Sequence, residues 1–174
     1  DSTAQLISDL DVELLFLYEA DVAFQQFVRV VNKKDPLTSL SQVVFNAGEK
    51  GLIRVSGRRA PEGEELDAIP AYELINPTEL SKWGKVGSYT GLVLDKQRFA
   101  TVLANRGCRA QCTFCSVRNF NGAGVRRRSA ESVVDELLML KEVYGVEHIM
   151  WLDDDLLYDR VETLKLFEKM IQRN

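Results

Sequence analysis

All three cysteines of this 174-residue chain lie within eight consecutive positions, at Cys108, Cys112 and Cys115. Their spacing, C-x3-C-x2-C, puts three thiols on one short loop, and such a loop can wrap one face of a compact metal centre. An odd number of clustered thiols argues against a framework of disulfide bonds and for a reducing compartment. We therefore expect a metal-binding protein of the cytoplasm, with these three thiols as ligands.

Different metal centres on the cysteine loop require different ligand sets. Structural zinc takes four protein ligands, but no fourth cysteine exists, and the only histidine, His148, lies on a predicted buried strand. A ferredoxin-like electron carrier also needs a fourth ligand. A [4Fe-4S] cluster on three cysteines leaves one iron open to a substrate or cosubstrate. We favour this cluster, and keep as the alternative a zinc-stabilised interaction module whose partner supplies a ligand.

Charge and hydropathy argue against two broad classes of protein. The net charge is −4 at pH 7, which argues against nucleic-acid binding. Arg126, Arg127 and Arg128 form a basic run without interleaved aromatic residues, so we interpret it as a solvated turn with one arginine paired to a neighbouring acid. No run of about 18 apolar residues occurs, so we expect no membrane span.

Strands and helices alternate along the chain from residue 99. FATVLA at 99–104 and HIMWL at 148–152 are typical of buried strands, whereas apolar spacings of three and four predict helices over 129–145 and 159–172. Ser129 is a plausible N-cap of the first helix. The order strand, loop, helix, strand, helix predicts parallel strands.

The preceding part of the chain follows a different pattern. It predicts a short strand over 12–18, a helix over 19–36, and an antiparallel pair of strands over 41–45 and 51–56. Prolines and acids dominate the next stretch, which is typical of a linker.

These patterns divide the chain into three parts within an α/β fold. They are an N-terminal module over 1–60, a linker over 61–98 and a C-terminal module over 99–174.

The motif Cys108-Arg-Ala-Gln-Cys112-Thr-Phe114-Cys115, directly after a predicted strand, resembles that of the radical S-adenosylmethionine (SAM) superfamily. The wider stretch "RGC…CTFCSVR…RRRSAESVVDEL…YGVEHIMWLDDDLLYD" is similar to the subgroup whose barrel follows a cobalamin-binding domain. The resemblance is strong over 99–174 and weak over 1–80.

The resemblance implies the start of a partial (β/α)6 barrel, preceded by the C-terminal remnant of a Rossmann-like α/β domain. Only two strand–helix units follow residue 99, and the chain does not begin with Met. We therefore expect a fragment of a longer enzyme.

The resemblance also implies a chemistry and a set of binding residues. The open iron binds the amino and carboxylate groups of SAM, and one electron cleaves a carbon–sulfur bond to give a 5′-deoxyadenosyl radical. Phe114 is expected near the adenine. Asp153 or Asp154, in WLDDDL rather than the more frequent Gly-Gly-Glu, is expected to hold the SAM ammonium group.

The family resemblance implies methylation or ring-forming chemistry on a small-molecule or peptide substrate. It also implies an electron donor such as flavodoxin or ferredoxin. The sequence contains no Asp-x-His-x-x-Gly motif. Cobalamin is therefore a cofactor of the subgroup, but the sequence of this chain gives no support for cobalamin binding.

Overall fold

The structure, a computed structural model, describes residues 2–79 and 98–173. They belong to two units, Asp1–Pro61 and Glu62–Asn174, each of which combines helices with strands. The fold is therefore mixed α/β, which confirms the predicted class. None of the described helices is long and apolar enough to cross a membrane.

The first unit contains a three-stranded sheet with β2 in the middle. Its elements are α1 (Ser2–Leu10), β1 (Leu14–Phe16), α2 (Asp21–Lys33), β2 (Val43–Asn46) and β3 (Leu52–Val55). Val44 of β2 lies opposite Leu15 on one side and Arg54 on the other, and both pairings are antiparallel. The predicted strand, helix and antiparallel pair are confirmed, whereas the sequence pattern does not predict α1.

The strand directions in this unit differ from the predicted Rossmann-like remnant over 1–60, since a Rossmann-like sheet is mostly parallel. A helix between two strands usually returns the chain for parallel pairing. Here the chain leaves α2 through Lys34, which has a left-handed conformation with φ of 58°, and turns again at Gln42, with φ of 48°. Consequently β2 runs opposite to β1, and the described sheet of this unit is antiparallel throughout.

The second unit contains two two-stranded sheets. Its elements are β4 (Phe99–Val102), β5 (Asn105–Cys108), α3 (Val117–Asn121), β6 (Gly124–Arg127), α4 (Ala130–Glu142), β7 (His148–Trp151) and α5 (Arg160–Arg173). β4 and β7 pair in parallel, with Val102 opposite Trp151 at their carboxyl ends. This confirms the parallel pairing that the order of elements predicts. β5 and β6 form an antiparallel hairpin that the sequence pattern does not predict.

The helix α4 forms where its cap and apolar spacing predict it. The hydroxyl oxygen of Ser129 accepts a hydrogen bond of 3.1 Å from the Ser132 amide, which satisfies a donor of the first turn. Val133 and Leu140 are buried in a core that also contains Val102 of β4. This packing fixes the helix against the strand that leads into the cysteine loop.

The predicted linker, residues 61–98, differs from a free linker over its described part. The helical turn Gly63–Asp67 buries Leu66, and Tyr72 packs against the core of the second unit. Burial of the Leu66 side chain and packing of the Tyr72 ring explain why this acidic stretch packs against the rest of the second unit. Residues 80–97 of the predicted linker lie outside the described residues.

Candidate functional site

The candidate site lies at the edge where the two parallel strands end. The carboxyl ends of parallel strands meet at one edge of a sheet, and here β4 ends at Val102 and β7 at Trp151. After β4 the chain continues through β5 into the cysteine loop, and after β7 it continues into residues 153–155. The topology therefore brings together the two sequence segments predicted to carry the chemistry.

The cysteine loop places its three thiols around one hollow. Cys108 is half-buried at the end of β5, whereas Cys112 and Cys115 are exposed, and none of the three forms a disulfide. The hollow is lined by Cys108, Ala110, Cys112, Cys115, Val117 and Arg118. The Cys115 amide donates a hydrogen bond of 3.2 Å to the Cys112 carbonyl oxygen, which supports the turn between these two thiols.

The donor set fits a cluster better than a single ion. Among residues 2–79 and 98–173, no group of three or more His, Cys, Asp or Glu side chains is arranged to hold one metal ion. A zinc ion needs its sulfur ligands at about 2.3 Å, which forces them to converge on one point. The thiolates that hold an iron–sulfur cluster each bind a different iron, so they lie around the cluster and do not converge on one point. The three cysteines line one hollow without forming a single-ion site, which is compatible with the second requirement.

The β5–β6 hairpin fixes the backbone next to Cys108, which lies opposite Gly124. Gly107 has φ of 90°, and a Cβ atom there would lie 2.5 Å from the Gly124 carbonyl oxygen. Only glycine permits both this conformation and this close approach. The two glycines therefore set the direction in which the chain enters the cysteine loop.

Asp153 joins the segment after β7 to the segment after β4. Its Oδ2 accepts a hydrogen bond of 3.1 Å from the Ala104 amide, and its Oδ1 accepts one of 2.5 Å from the Asn105 amide. Burial raises the pKa of Asp153, although these amide hydrogen bonds and the charge of Arg127 oppose the rise. Both carboxylate oxygens already accept hydrogen bonds. Asp153 therefore links the segment after β7 to the segment after β4.

Asp154 has a more open environment than its neighbour. The side chain is exposed, and its Oδ2 accepts a hydrogen bond of 3.4 Å from the Asn121 amide group of α3. Partial burial raises the pKa of this carboxyl. This contact links Asp154 to α3, the helix that directly follows the cysteine loop.

Asp155 anchors the cysteine loop through Arg109, the residue after Cys108. The Arg109 Nε lies 3.0 Å from Asp155 Oδ2, and its Nη1 donates a hydrogen bond of 2.9 Å to the Tyr158 carbonyl oxygen. Asn105, which is 1% exposed, donates a hydrogen bond of 3.1 Å to the Leu156 carbonyl oxygen. The sequence analysis missed Arg109 and Asn105, because their partners lie about fifty residues away along the chain.

The structure also places the remaining predicted residues. Phe114, between the second and third cysteines, is 90% exposed, and its place near an adenine stays a prediction. The solvated turn predicted for the three arginines was wrong, although one is paired as expected. Arg128 is buried in an ion pair with Glu136, and Arg127 lies over the Tyr158 ring, 5.0 Å from its centroid.

Comparisons with known sequences point to one class of enzyme, although no model of a known protein family matches this chain. It is 34% identical over 103 residues to the cytidylyl-2-hydroxyethylphosphonate methyltransferase of Streptomyces wedmorensis, covering 59% of this chain and 19% of that protein. It is 29% identical over 141 residues to an uncharacterised methyltransferase of Pyrococcus horikoshii, covering 78% of this chain and 27% of that protein. This chain is similar to methyltransferases. It spans less than a third of either relative.

The fold is similar to that of a solved radical SAM enzyme. The methyltransferase TsrM from Kitasatospora setae matches with a TM-score of 0.71 and 16% identity, over 97% of this chain and 30% of TsrM. That structure contains a tryptophan substrate and a SAM analogue, and a second TsrM structure contains cobalamin and a [4Fe-4S] cluster. At this identity the likeness establishes the fold of the chain.

Proposed function

We propose that this chain is part of a radical SAM methyltransferase and that it holds a [4Fe-4S] cluster and SAM. The observation that carries the proposal is the shared hollow of Cys108, Cys112 and Cys115, at the sheet edge where residues 153–155 also lie. The similarity to methyltransferases favours methyl transfer over ring formation. Because the chain spans a small part of these relatives, the activity belongs to the longer protein.

Each of the three cysteines is assigned one iron of the cluster. This leaves one iron without a protein ligand, at which the amino and carboxylate groups of SAM bind. The bound cluster would supply one electron for cleavage of a carbon–sulfur bond of SAM, which would give methionine and a 5′-deoxyadenosyl radical. The hairpin glycines and the Arg109–Asp155 pair hold the loop in the conformation that the cluster needs.

We assign the SAM ammonium group to Asp154 rather than Asp153. Asp153 already accepts two backbone hydrogen bonds, whereas Asp154 is exposed and has one long hydrogen bond of 3.4 Å. A carboxylate forms strong charge-assisted hydrogen bonds with an ammonium group. Phe114 remains the proposed contact of the adenine, supported by its exposure between two ligand cysteines.

The proposal extends to the rest of the protein. β4 and β7 are the first strands of a (β/α)6 barrel, and a one-electron donor of the flavodoxin or ferredoxin class reduces the cluster in the cytoplasm. A small molecule or peptide is the methyl acceptor. Cobalamin is left out of the role of this chain, because the only histidine, His148, lies on β7 without the surrounding motif.

SAM binding to the reconstituted chain tests the proposal. The chain is loaded with iron and sulfide without oxygen, reduced, and examined by electron paramagnetic resonance (EPR) with increasing SAM. We expect SAM to change the spectrum, because it ligates the open iron. Cys112→Ala, which removes a ligand, should lose the signal. An unchanged spectrum at saturating SAM contradicts the proposal.

A further inference from the structure

The segment that carries the cysteine loop has an unusual charge for this acidic protein. Residues 105–128 contain six arginines and no Asp, Glu or Lys, whereas the whole chain has a net charge of −4. The arginines are Arg106, Arg109, Arg118, Arg126, Arg127 and Arg128. One of them, Arg118, lines the hollow in which the proposed function places an anionic cluster.

Three of these arginines have acidic or aromatic neighbours that account for their positions. Arg128 is buried against Glu136, and Arg109 pairs with Asp155. Arg127 lies over the ring of Tyr158. These side chains support the hairpin and the loop, so their charges already serve the structure.

Arg118 differs from these three in its position and in its contacts. It lies in α3, three residues after Cys115, and its half-buried side chain lines the hollow together with all three cysteines. Within residues 2–79 and 98–173, its guanidinium makes no ion pair with a carboxylate. Its charge is therefore not neutralised by the described part of the chain.

We propose that Arg118 raises the reduction potential of the cluster by stabilising its reduced state. This inference rests on the proposed function, since it requires the cluster in the hollow. One electron from an external reductant adds a negative charge to a centre that three thiolates already make anionic. A fixed positive charge at the hollow favours that state more than the oxidised one.

The position of Arg118 is suited to this role. Net charge, hydrogen bonds to sulfur and solvent exposure set the potential of iron–sulfur clusters. Cys112 and Cys115 are exposed, so water also stabilises the reduced state, and the charge of Arg118 adds to that effect from the lining of the hollow. An arginine guanidinium is positively charged throughout the working pH range. It therefore acts as a constant electrostatic contribution.

The test is the midpoint potential of the cluster, measured in the full chain by EPR-monitored redox titration without SAM. The variants are Arg118→Gln, which removes the charge, and Arg118→Lys, which keeps it. Arg173→Gln is the matched control, because Arg173 is a surface arginine of α5 paired with Asp135. Iron and sulfide are measured first, so that each variant is compared at equal cluster content.

We expect the ratio of reduced to oxidised cluster at a fixed potential to fall about tenfold in Arg118→Gln, which corresponds to about 59 mV. Arg118→Lys and Arg173→Gln should keep the parent potential. An unchanged potential in Arg118→Gln overturns the inference, as does an effect confined to SAM affinity, which would assign Arg118 to the SAM carboxylate instead.

Two further outcomes are also decisive. If Arg118→Gln takes up no cluster, Arg118→Met, which also removes the charge, decides: a tenfold fall in the reduced-to-oxidised ratio supports the inference, and a parent-like potential overturns it. If the parent chain itself contains iron without sulfide, the proposed function fails and the inference fails with it.

Discussion

Asp153 and Asp154 are adjacent along the chain, but their carboxylates have different neighbours. We expect Asp154→Asn to weaken SAM binding about tenfold, or about 1.4 kcal/mol, because the amide lacks the charge that holds an ammonium group. Glu147→Gln is the control, because Glu147 is an exposed acid directly before the first residue of β7, whereas Asp154 follows the last one. Titration calorimetry without oxygen measures both, and parent-like SAM binding by Asp154→Asn would contradict the assignment.

The raised pKa of Asp153 predicts a pH dependence of stability. Burial lifts this pKa above 3.8, so the folded protein holds the proton more tightly than the unfolded chain. The resulting stabilisation is fully present below 3.8 and is lost as pH rises through the folded pKa. Asp153→Asn, which does not titrate, lacks this dependence.

Urea unfolding of the parent and of Asp153→Asn from acidic to neutral pH measures the effect. The difference in free energy of unfolding, parent minus variant, should decrease as pH rises and then become constant above the folded pKa. A difference that grows with pH would show that the two amide hydrogen bonds outweigh burial.

At the level of elements, the hairpin β5–β6 depends on a close backbone contact. A Cβ at Gly107 would lie 2.5 Å from the Gly124 carbonyl oxygen, whereas a Cβ at Gly124 would meet nothing within 4 Å. Both glycines have positive φ, so the two alanine variants share the conformational strain and differ in the clash. We expect Gly107→Ala to lose more stability and more bound iron than Gly124→Ala. Equal losses would show that the close contact is unimportant.

The helix α4 is held by a buried ion pair between Arg128 and Glu136, which are 8% and 2% exposed. Tyr72 also donates a hydrogen bond of 2.6 Å to Glu136. Glu136→Ala leaves the arginine charge buried, so we expect a loss of about 3–5 kcal/mol in the free energy of unfolding. Denaturant titration measures it, with exposed Glu142→Ala as a control expected within about 0.5 kcal/mol of the parent. A loss in the free energy of unfolding as small as that of Glu142→Ala would show that the Arg128–Glu136 ion pair does not stabilise α4.

The elements that the sequence predicts are those with a repeated local pattern. The strands β4 and β7 and the helices α4 and α5 have continuous apolar runs or helical spacing, so their type follows from nearby residues. The hairpin strands NRGC and GVRR have no such alternation and depend on glycines with positive φ. The antiparallel pairing of β1 with β2 arises across an intervening helix, which a local pattern does not determine.

Local sequence patterns also leave the long-range contacts of the candidate site undetermined. The three cysteines are proposed as ligands from their spacing alone, and residues of one short loop need no distant partner to line a common hollow. The role of Asp153 depends on amides 48 and 49 residues away, so sequence adjacency to Asp154 does not separate the two. The buried pairing of Arg128 likewise becomes visible only when α4 packs against the hairpin.

For the whole molecule, the chain combines a first unit with an antiparallel sheet and a second unit that carries the candidate site. The match to TsrM covers 97% of this chain but only 30% of TsrM. Within the part that the chain covers, Cys108, Cys112 and Cys115 are the proposed ligands of the cluster.

Metal and sulfide analysis of the chain, reconstituted without oxygen, tests the central claim most directly. We predict about four irons and four sulfides per chain, with both lost when Cys108, Cys112 and Cys115 are replaced together by alanine. One zinc per chain with no acid-labile sulfide would contradict the account and favour a zinc-stabilised module instead.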